Sequence, residues 1–173
     1  MKKLFLALGL MTSGLVLQAQ MERTVMVGGA AMYPSKNIVQ NAVNSKDHTT
    51  LVAALKQAEL VTSLSNAGPF TVFAPTNAAF DKLPAGTVEG LMKDDKKADL
   101  QNILQYHVAV AGYKAENLKD GQVIGMANGD NITLSVKDGK IMVNGSATII
   151  ASIPASNGII HVIDAVLLPP AKK

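Results

Sequence analysis

The sequence predicts an α+β fold, with most helices in the first part of the chain and most strands in the last third. Apolar residues recur every three or four positions over residues 47–64 and 94–107, which is helical spacing. Apolar and polar residues alternate over 132–137, which indicates a strand. A further apolar strand at 70–74 lies between the helices, and no internal repeat appears, so the 173 residues predict one α+β domain.

The first nineteen residues have the pattern of a secretory signal peptide. Lys2 and Lys3 precede an apolar stretch over residues 4–17, and Ala19 marks a plausible cleavage site. The alternative is a single N-terminal anchor helix, but the apolar run is shorter than the roughly 20 residues that a membrane span needs. We therefore expect a secreted or periplasmic protein whose mature chain has no membrane span.

Residues 20–35 predict an irregular lead-in, because no apolar periodicity precedes Ile38. Gly28 and Gly29 are too few for a phosphate-binding loop, and no nucleotide-binding motif follows them. The main domain is expected over 36–170, with a short tail at 171–173.

The first predicted helix starts near Asp47, with Asp47 or Thr49 as its N-cap. Gly68 and Pro69 end this helical region, and the strand at 70–74 follows.

Shorter helices follow that strand. Thr76 and Asn77 are suitable N-caps for the first of them. One or two helical turns are expected over 88–92. A longer helix is predicted over 94–105, with acidic residues in its first turn and His107 on or just past its apolar face.

The last third predicts a series of strands. Asp138 and Gly139 form a hairpin turn between strands at 132–136 and 140–144. Two further strands are expected at 147–153 and 159–168. The last is apolar on both faces apart from His161 and Asp164, which is typical of a central strand buried on two sides.

Composition argues against several classes of protein. Without Lys2 and Lys3 the formal charge falls from +3 to +1, and the remaining lysines form no basic patch of the kind that binds nucleic acid. The interleaved charges of residues 93–99 are typical of a solvated helix face. The chain has no Cys, so the domain must fold without disulfides and cannot be lipidated at a thiol.

No residue pattern indicates catalysis. His161 and Asp164 resemble two members of a Ser-His-Asp triad, but residues three apart in a strand point to opposite faces. No Gly-x-Ser-x-Gly motif supplies the nucleophile. We therefore expect no enzyme activity and no catalytic residue.

No residue pattern indicates a metal or cofactor site. The three His residues are not spaced four apart, and no thiol is available as a ligand. Residues 128–131 resemble a calcium loop faintly, but Ser135 stands where the bidentate Glu would be. This segment is better interpreted as a turn.

Three blocks of sequence resemble a known family. Residues 68–80 read GPFTVFAPTNAAF, residues 106–108 read YHV, and residues 157–169 read NGIIHVIDAVLLP. In this order and spacing they resemble the first signature, the Tyr-His motif and the second signature of the fasciclin (FAS1) domain, and residues 28–45 resemble the lead-in of small secreted bacterial single-domain members. The resemblance covers 36–170 and implies a wedge-shaped fold, a β-sandwich of about seven strands flanked by several helices.

The resemblance also implies a function and a set of structural residues. FAS1 domains are non-enzymatic adhesion modules outside the cell, so the implied partner is an extracellular protein or polysaccharide, bound by a monomer. In the family the two signatures lie side by side in the core with a polar network. Carried over to this chain, that network would fix the helices against the sheet, and it involves Thr76, Asn77, His107, His161 and Asp164.

One departure from the family concerns adhesion. In animal relatives an Asp-Ile pair just before the second signature takes part in integrin recognition. Here Ser152 replaces the acid before Ile153 and Pro154. Ile153 and Pro154 are thus the candidate adhesion residues, without the acid that integrin-type binding would use.

Two other classes of function stay open. An envelope protein that binds a small molecule or lipid would need an apolar cavity of at least a few hundred Å³. The third hypothesis is an exported enzyme. The absence of a catalytic triad and of residues at metal-ligand spacing disfavours it.

Overall fold

The structure is a computed structural model and describes residues 24–171. The signal peptide predicted over 1–19 and residues 172–173 of the tail lie outside the described residues. Within 24–171, no helix is long and apolar enough to cross a membrane.

Nine strands are described, and seven of them form one mixed sheet in the order β4-β3-β9-β8-β7-β6-β5. The strands are β1 Val25–Val27, β2 Ala30–Met32, β3 Phe70–Pro75, β4 Val108–Ala109, β5 Val123–Gly125, β6 Asn131–Lys137, β7 Lys140–Val143, β8 Ala147–Ala155 and β9 Gly158–Ile163.

The lead-in is not irregular as predicted. Strands β1 and β2 form a separate antiparallel hairpin, with Val25 opposite Met32. Gly28 and Gly29 both have positive φ and make its turn. Strands of three residues are too short to show alternation in the sequence, which explains the error.

Six α-helices and three short 3₁₀ turns are described. The helices are α1 Ile38–Asn44, α2 Thr49–Gln57, α3 Val61–Ser65, α4 Asn77–Asp81, α5 Thr87–Leu91 and α6 Lys97–Gln105. The 3₁₀ turns are Lys46–His48, Asp94–Lys96 and Ala115–Asn117.

The helix predicted over 47–64 is divided into α2 and α3. Glu59 adopts a left-handed backbone conformation with φ of 58°, and the Leu60 N–H bonds back to the Leu55 carbonyl. This geometry ends α2 in the manner of a Schellman cap, without the Gly that usually marks one. The sequence therefore gives no signal of the break.

The central pair of strands separates two hydrophobic cores. Strand β9 lies between β3, to which it is parallel, and β8, to which it is antiparallel. On one face, Val72, Ile160 and Val162 pack with helices α1, α2, α3 and α6. On the other face, Phe73 and Ile163 pack with residues of β5, β6 and β7. The far strands thus fold over the central pair as the second layer of a sandwich.

The predicted α+β class, the helix-flanked sandwich of seven strands and the central position of the last strand are confirmed. That strand ends at Ile163 rather than at Leu168. Beyond it, the Asp164 carboxylate accepts a hydrogen bond from the Thr148 N–H, and the Leu167 N–H bonds to a side chain instead of a strand. The apolar run therefore continues past the strand as an irregular packed segment.

Candidate functional site

His107 lies buried just after α6, where it joins this helix to the segment that follows β9. Its Nδ1–H donates to the Ile103 carbonyl at 2.8 Å, so Nε2 is free to accept from the Leu167 N–H at 2.9 Å. Burial lowers the pKa of His107 to about 4, although the hydrogen bond to Ile103 opposes the shift. The imidazole is therefore neutral at pH 7.

His161 lies in β9 on the face toward the sandwich core. Its ring packs against Phe73, with 5.4 Å between centroids. Nε2–H donates to the Tyr113 carbonyl at 2.7 Å, and Nδ1 accepts from the Ser152 hydroxyl at 2.7 Å. Burial lowers the pKa of His161, while the bond to Tyr113 raises it in part.

Thr76 and Asn77 stand at the start of α4, as the sequence indicates. The Thr76 hydroxyl accepts from the Ala79 N–H at 3.2 Å, which makes Thr76 the N-cap. The Asn77 amide oxygen accepts from the Thr50 N–H at 3.1 Å, and its nitrogen donates to the Lys46 carbonyl at 2.9 Å. Asn77 therefore ties α4 to the first turn of α2.

Asp164 follows the last residue of β9 and does not orient His161. Its carboxylate accepts from the Thr148 N–H at 2.7 Å, which ties the end of β9 to β8. The Ser-His-Asp arrangement is therefore not assembled: the partners of His161 are Ser152 and the Tyr113 carbonyl.

The five residues of the predicted network do not form one continuous chain of hydrogen bonds. Each bonds to backbone groups or to side chains outside the set. They act at separate places, each linking one helix or strand to a neighbour. Their shared role in fixing helices against the sheet stays a prediction.

Asn157 is a structural residue that sequence reasoning missed. It is only 9% exposed. Its amide oxygen accepts from the Ile38 N–H at 3.0 Å, and its nitrogen donates to the Leu64 and Asn66 carbonyls at 2.8 and 2.9 Å. The available signal, Asn before Gly, indicates only a turn.

His48, the third histidine, is also buried. Its Nδ1 lies 2.8 Å from the Ser45 hydroxyl. Among the described residues its Nε2 has no hydrogen-bond partner. Burial lowers the pKa of His48, while the Asp47 carboxylate and a backbone interaction with Ala74 raise it in part.

The two candidate adhesion residues differ in exposure. Ile153 is 0% exposed and packs in the helical core, so it cannot contact a partner directly. The alternation of a strand explains this, because Ile153 faces the opposite side from Ser152 and Pro154. Pro154 is exposed and lines an open depression of about 310 Å³ with Lys114, Ser152 and Ile159.

An apolar groove lies beside α5 and α6. Its lining includes Phe80, Leu91, Ile103, His107 and Leu168. The space open to a ligand there is only about 20 Å³, roughly the volume that one water molecule occupies. The side chains therefore fill this groove almost completely.

Within residues 24–171, no group of three or more His, Asp or Glu side chains is arranged to hold a metal ion.

Comparison with known proteins agrees with this geometry. A family model described as the fasciclin domain matches residues 46–169. Protein sll1483 of Synechocystis sp. is 47% identical over 164 residues, covering 95% of this chain and 91% of that protein. The cell surface glycolipoprotein MPB83 of Mycobacterium bovis is 38% identical over 151 residues, covering 84% of this chain and 65% of that protein.

A solved structure has the same fold. It is a FAS1 domain pair from the insect cell adhesion molecule fasciclin I, which superposes with a TM-score of 0.69 at 18% identity. The match covers 86% of this chain and 59% of that chain. The matching family model, the similar sequences and the shared fold agree, and the chain belongs to the fasciclin domain family.

Proposed function

We propose that this chain is a non-enzymatic adhesion module, exported by the signal peptide at 1–19, that binds a protein or glycan at the cell surface or in the extracellular matrix. The observation that carries the proposal is the likeness to MPB83, which is named a cell surface glycolipoprotein and aligns with 84% of this chain. The insect relative of the same fold is named a cell adhesion molecule. Secretion or a periplasmic location follows from the same proposal.

The neutral, buried histidines support a structural use of the polar residues. Each imidazole lies at 2% exposure or less. Both nitrogens of His107 and of His161 are hydrogen-bonded to backbone or hydroxyl groups, whereas His48 is bonded through Nδ1 alone. Satisfied buried polar groups of this kind hold a fold together. A rigid scaffold with an exposed binding surface suits adhesion.

The region around Pro154 is the proposed contact surface. Pro154 projects from the end of β8 next to the depression that Lys114 and Ile159 line. Ile153 supports this surface from beneath, since it is wholly buried.

A lipid carrier is the weaker alternative. The apolar groove beside α5 offers about 20 Å³, whereas ligand pockets usually measure about 300–1,000 Å³. The depression of about 310 Å³ beside Pro154 reaches that size, but it is open to solvent and partly lined by charged residues. A thermal shift with envelope lipids tests this alternative, because a ligand at 100 times its Kd adds about 2.7 kcal/mol of stability.

The adhesion proposal is tested with the purified mature chain, residues 20–173. Binding is measured to the producing cells and to a panel of extracellular polysaccharides and matrix proteins, beside a heat-unfolded sample. We expect saturable binding that heat abolishes. A folded protein that binds neither the cells nor the panel contradicts the proposal.

Two variants locate the surface. Pro154→Asp is expected to weaken binding at least about tenfold, which corresponds to about 1.4 kcal/mol. Val123→Asp is the matched control, since Val123 is 59% exposed on the edge strand β5 and lies in another part of the sheet. Equal binding by both variants would place the contact elsewhere.

Light scattering tests the expectation that the module is a monomer.

A further inference from the structure

Ser152 and His161 are directly opposite each other on β8 and β9. Residues paired across antiparallel strands point to the same face, so the two side chains meet. The distance between Ser152 Oγ and His161 Nδ1 is 2.7 Å, which is a short hydrogen bond.

The Tyr113 carbonyl determines which of the two ring nitrogens of His161 carries the proton. A carbonyl oxygen can only accept, so His161 Nε2 must be the protonated nitrogen in the bond of 2.7 Å. Nδ1 is then an unprotonated acceptor, and the Ser152 hydroxyl donates to it. This is the arrangement of a nucleophile, a base and a group that orients the base.

Ser152 is accessible, whereas His161 is not. The serine is half-buried and lines the open depression of about 310 Å³, together with Pro154 and Ile159. His161 lies behind it at 0% exposure. Lys114 and Glu116 also line the depression, so its charged lining carries one residue of each sign.

We propose that Ser152 is an acyl-acceptor site, a serine whose hydroxyl is activated by His161 to react with small activated carboxylic esters. This property goes beyond adhesion and does not depend on it. Adhesion requires only a surface, while this site can attach an acyl group covalently to that surface.

The reaction is balanced with the groups present. The Ser152 oxygen forms a bond to the carbonyl carbon of the ester as its proton passes to His161 Nδ1. The carbon then loses the alcohol or phenol oxygen, which takes that proton from Nδ1. The products are an ester of Ser152, the free alcohol and a neutral His161. The Tyr113 carbonyl holds the imidazole in place throughout.

The test uses p-nitrophenyl acetate with the folded mature chain at pH 7.5. Release of p-nitrophenolate is followed together with peptide mapping of the acetylated serine. Ser156 is the internal reference, since it is exposed on the same hairpin. We expect Ser152 to be acetylated at least tenfold faster than Ser156. Equal rates at the two serines would overturn the proposal.

Variants separate the roles of the two residues. Ser152→Ala should abolish the fast acetylation, whereas Ser156→Ala should leave it unchanged. His161→Gln should slow acetylation of Ser152 at least tenfold if the variant folds, as judged by circular dichroism. An unchanged rate in folded His161→Gln excludes His161 as the base and overturns the proposal.

A pH series covers the case in which His161→Gln does not fold. Protonation of His161 removes the acceptor, so the ratio of Ser152 to Ser156 acetylation should fall toward one as the pH is lowered, while the protein stays folded. A ratio that is constant with pH rejects the proposal.

Discussion

The Nε2 atom of His107 accepts a hydrogen bond from the backbone N–H of Leu167, 60 positions further along the chain. The contact attaches the end of α6 to the segment after the central strand β9. It works only while the imidazole is neutral, because a protonated Nε2 would itself carry a hydrogen and could not accept. Replacing the imidazole or protonating it should therefore weaken the fold.

His107→Ala is expected to destabilise the fold by about 2–4 kcal/mol. The change leaves the Leu167 N–H buried without a partner, which costs about 1–3 kcal/mol, and it opens a cavity. Urea unfolding measures the loss. Adhesion of the folded variant should be unchanged, and a variant with normal stability but lost binding would contradict a structural role.

Stability should decline as the pH falls below about 6.5. The pKa of His107 is about 4 in the folded protein, against an ordinary value of 6.5. Between these values the unfolded chain binds more protons than the folded one, so acid favours unfolding. The contribution of His107 is fully present above pH 6.5, and up to about 1.4 kcal/mol of it is lost per pH unit between pH 6.5 and about 4.

Urea unfolding at pH 7, 6 and 5 measures this slope. Wild type is compared with His107→Gln, whose amide oxygen can replace the acceptor but does not titrate. The free energy of unfolding of the variant should change less with pH than that of wild type, and the difference is the contribution of His107. Identical slopes would show that the pKa of His107 is the same in the folded and the unfolded protein.

The parts of the fold that the sequence predicts are those set by local chemistry. Asp138 and Gly139 specify their hairpin through turn geometry, and the apolar residues on both faces of β9 indicate burial on two sides. The break at Glu59 was not predictable, because a residue without special turn preference adopts the left-handed conformation there. Ala58 and Leu64, on the two sides of the break, are both buried in the helical core.

The contact between Ser152 and His161 could have been predicted from the sequence only if the register that pairs β8 with β9 had been known. That register depends on where the turn before Gly158 is centred, and a shift of one residue would place Ser152 on the other face. The multiple bonds of Asn157 depend on two distant segments, one at Ile38 and one at Leu64 and Asn66. No local pattern indicates them.

Asn157→Asp is expected to destabilise the protein by about 3 kcal/mol or more. The substitution keeps an oxygen for the Ile38 N–H but replaces the nitrogen that donates to the Leu64 and Asn66 carbonyls. A buried carboxylate oxygen would then face two carbonyl oxygens without a proton between them. Thermal and urea unfolding measure the effect.

Asn131→Asp is the control for that substitution. Asn131 is exposed at the start of β6, so the same chemical change should alter stability by no more than about 0.5 kcal/mol. A similar loss in both variants would mean that the added charge, and not the lost donor, is responsible.

Gly158→Ala tests the close approach of the two central strands. Gly158 is paired with Phe70 at the start of the parallel pair of β3 and β9. A Cβ at this position would overlap the Phe70 carbonyl oxygen, and because this contact is with backbone, no side-chain rotation relieves it.

Gly121→Ala is the matched control, since Gly121 also has positive φ, at 70°, but a Cβ there meets nothing within 4 Å. The control should lose about 1–2 kcal/mol from backbone strain alone. We expect Gly158→Ala to lose at least about 2 kcal/mol more of its free energy of unfolding in urea. The reason is that β3 and β9 must separate where Gly158 is paired with Phe70. Equal losses in the two variants would show that the strands can yield at this position, and that backbone strain alone accounts for the glycine.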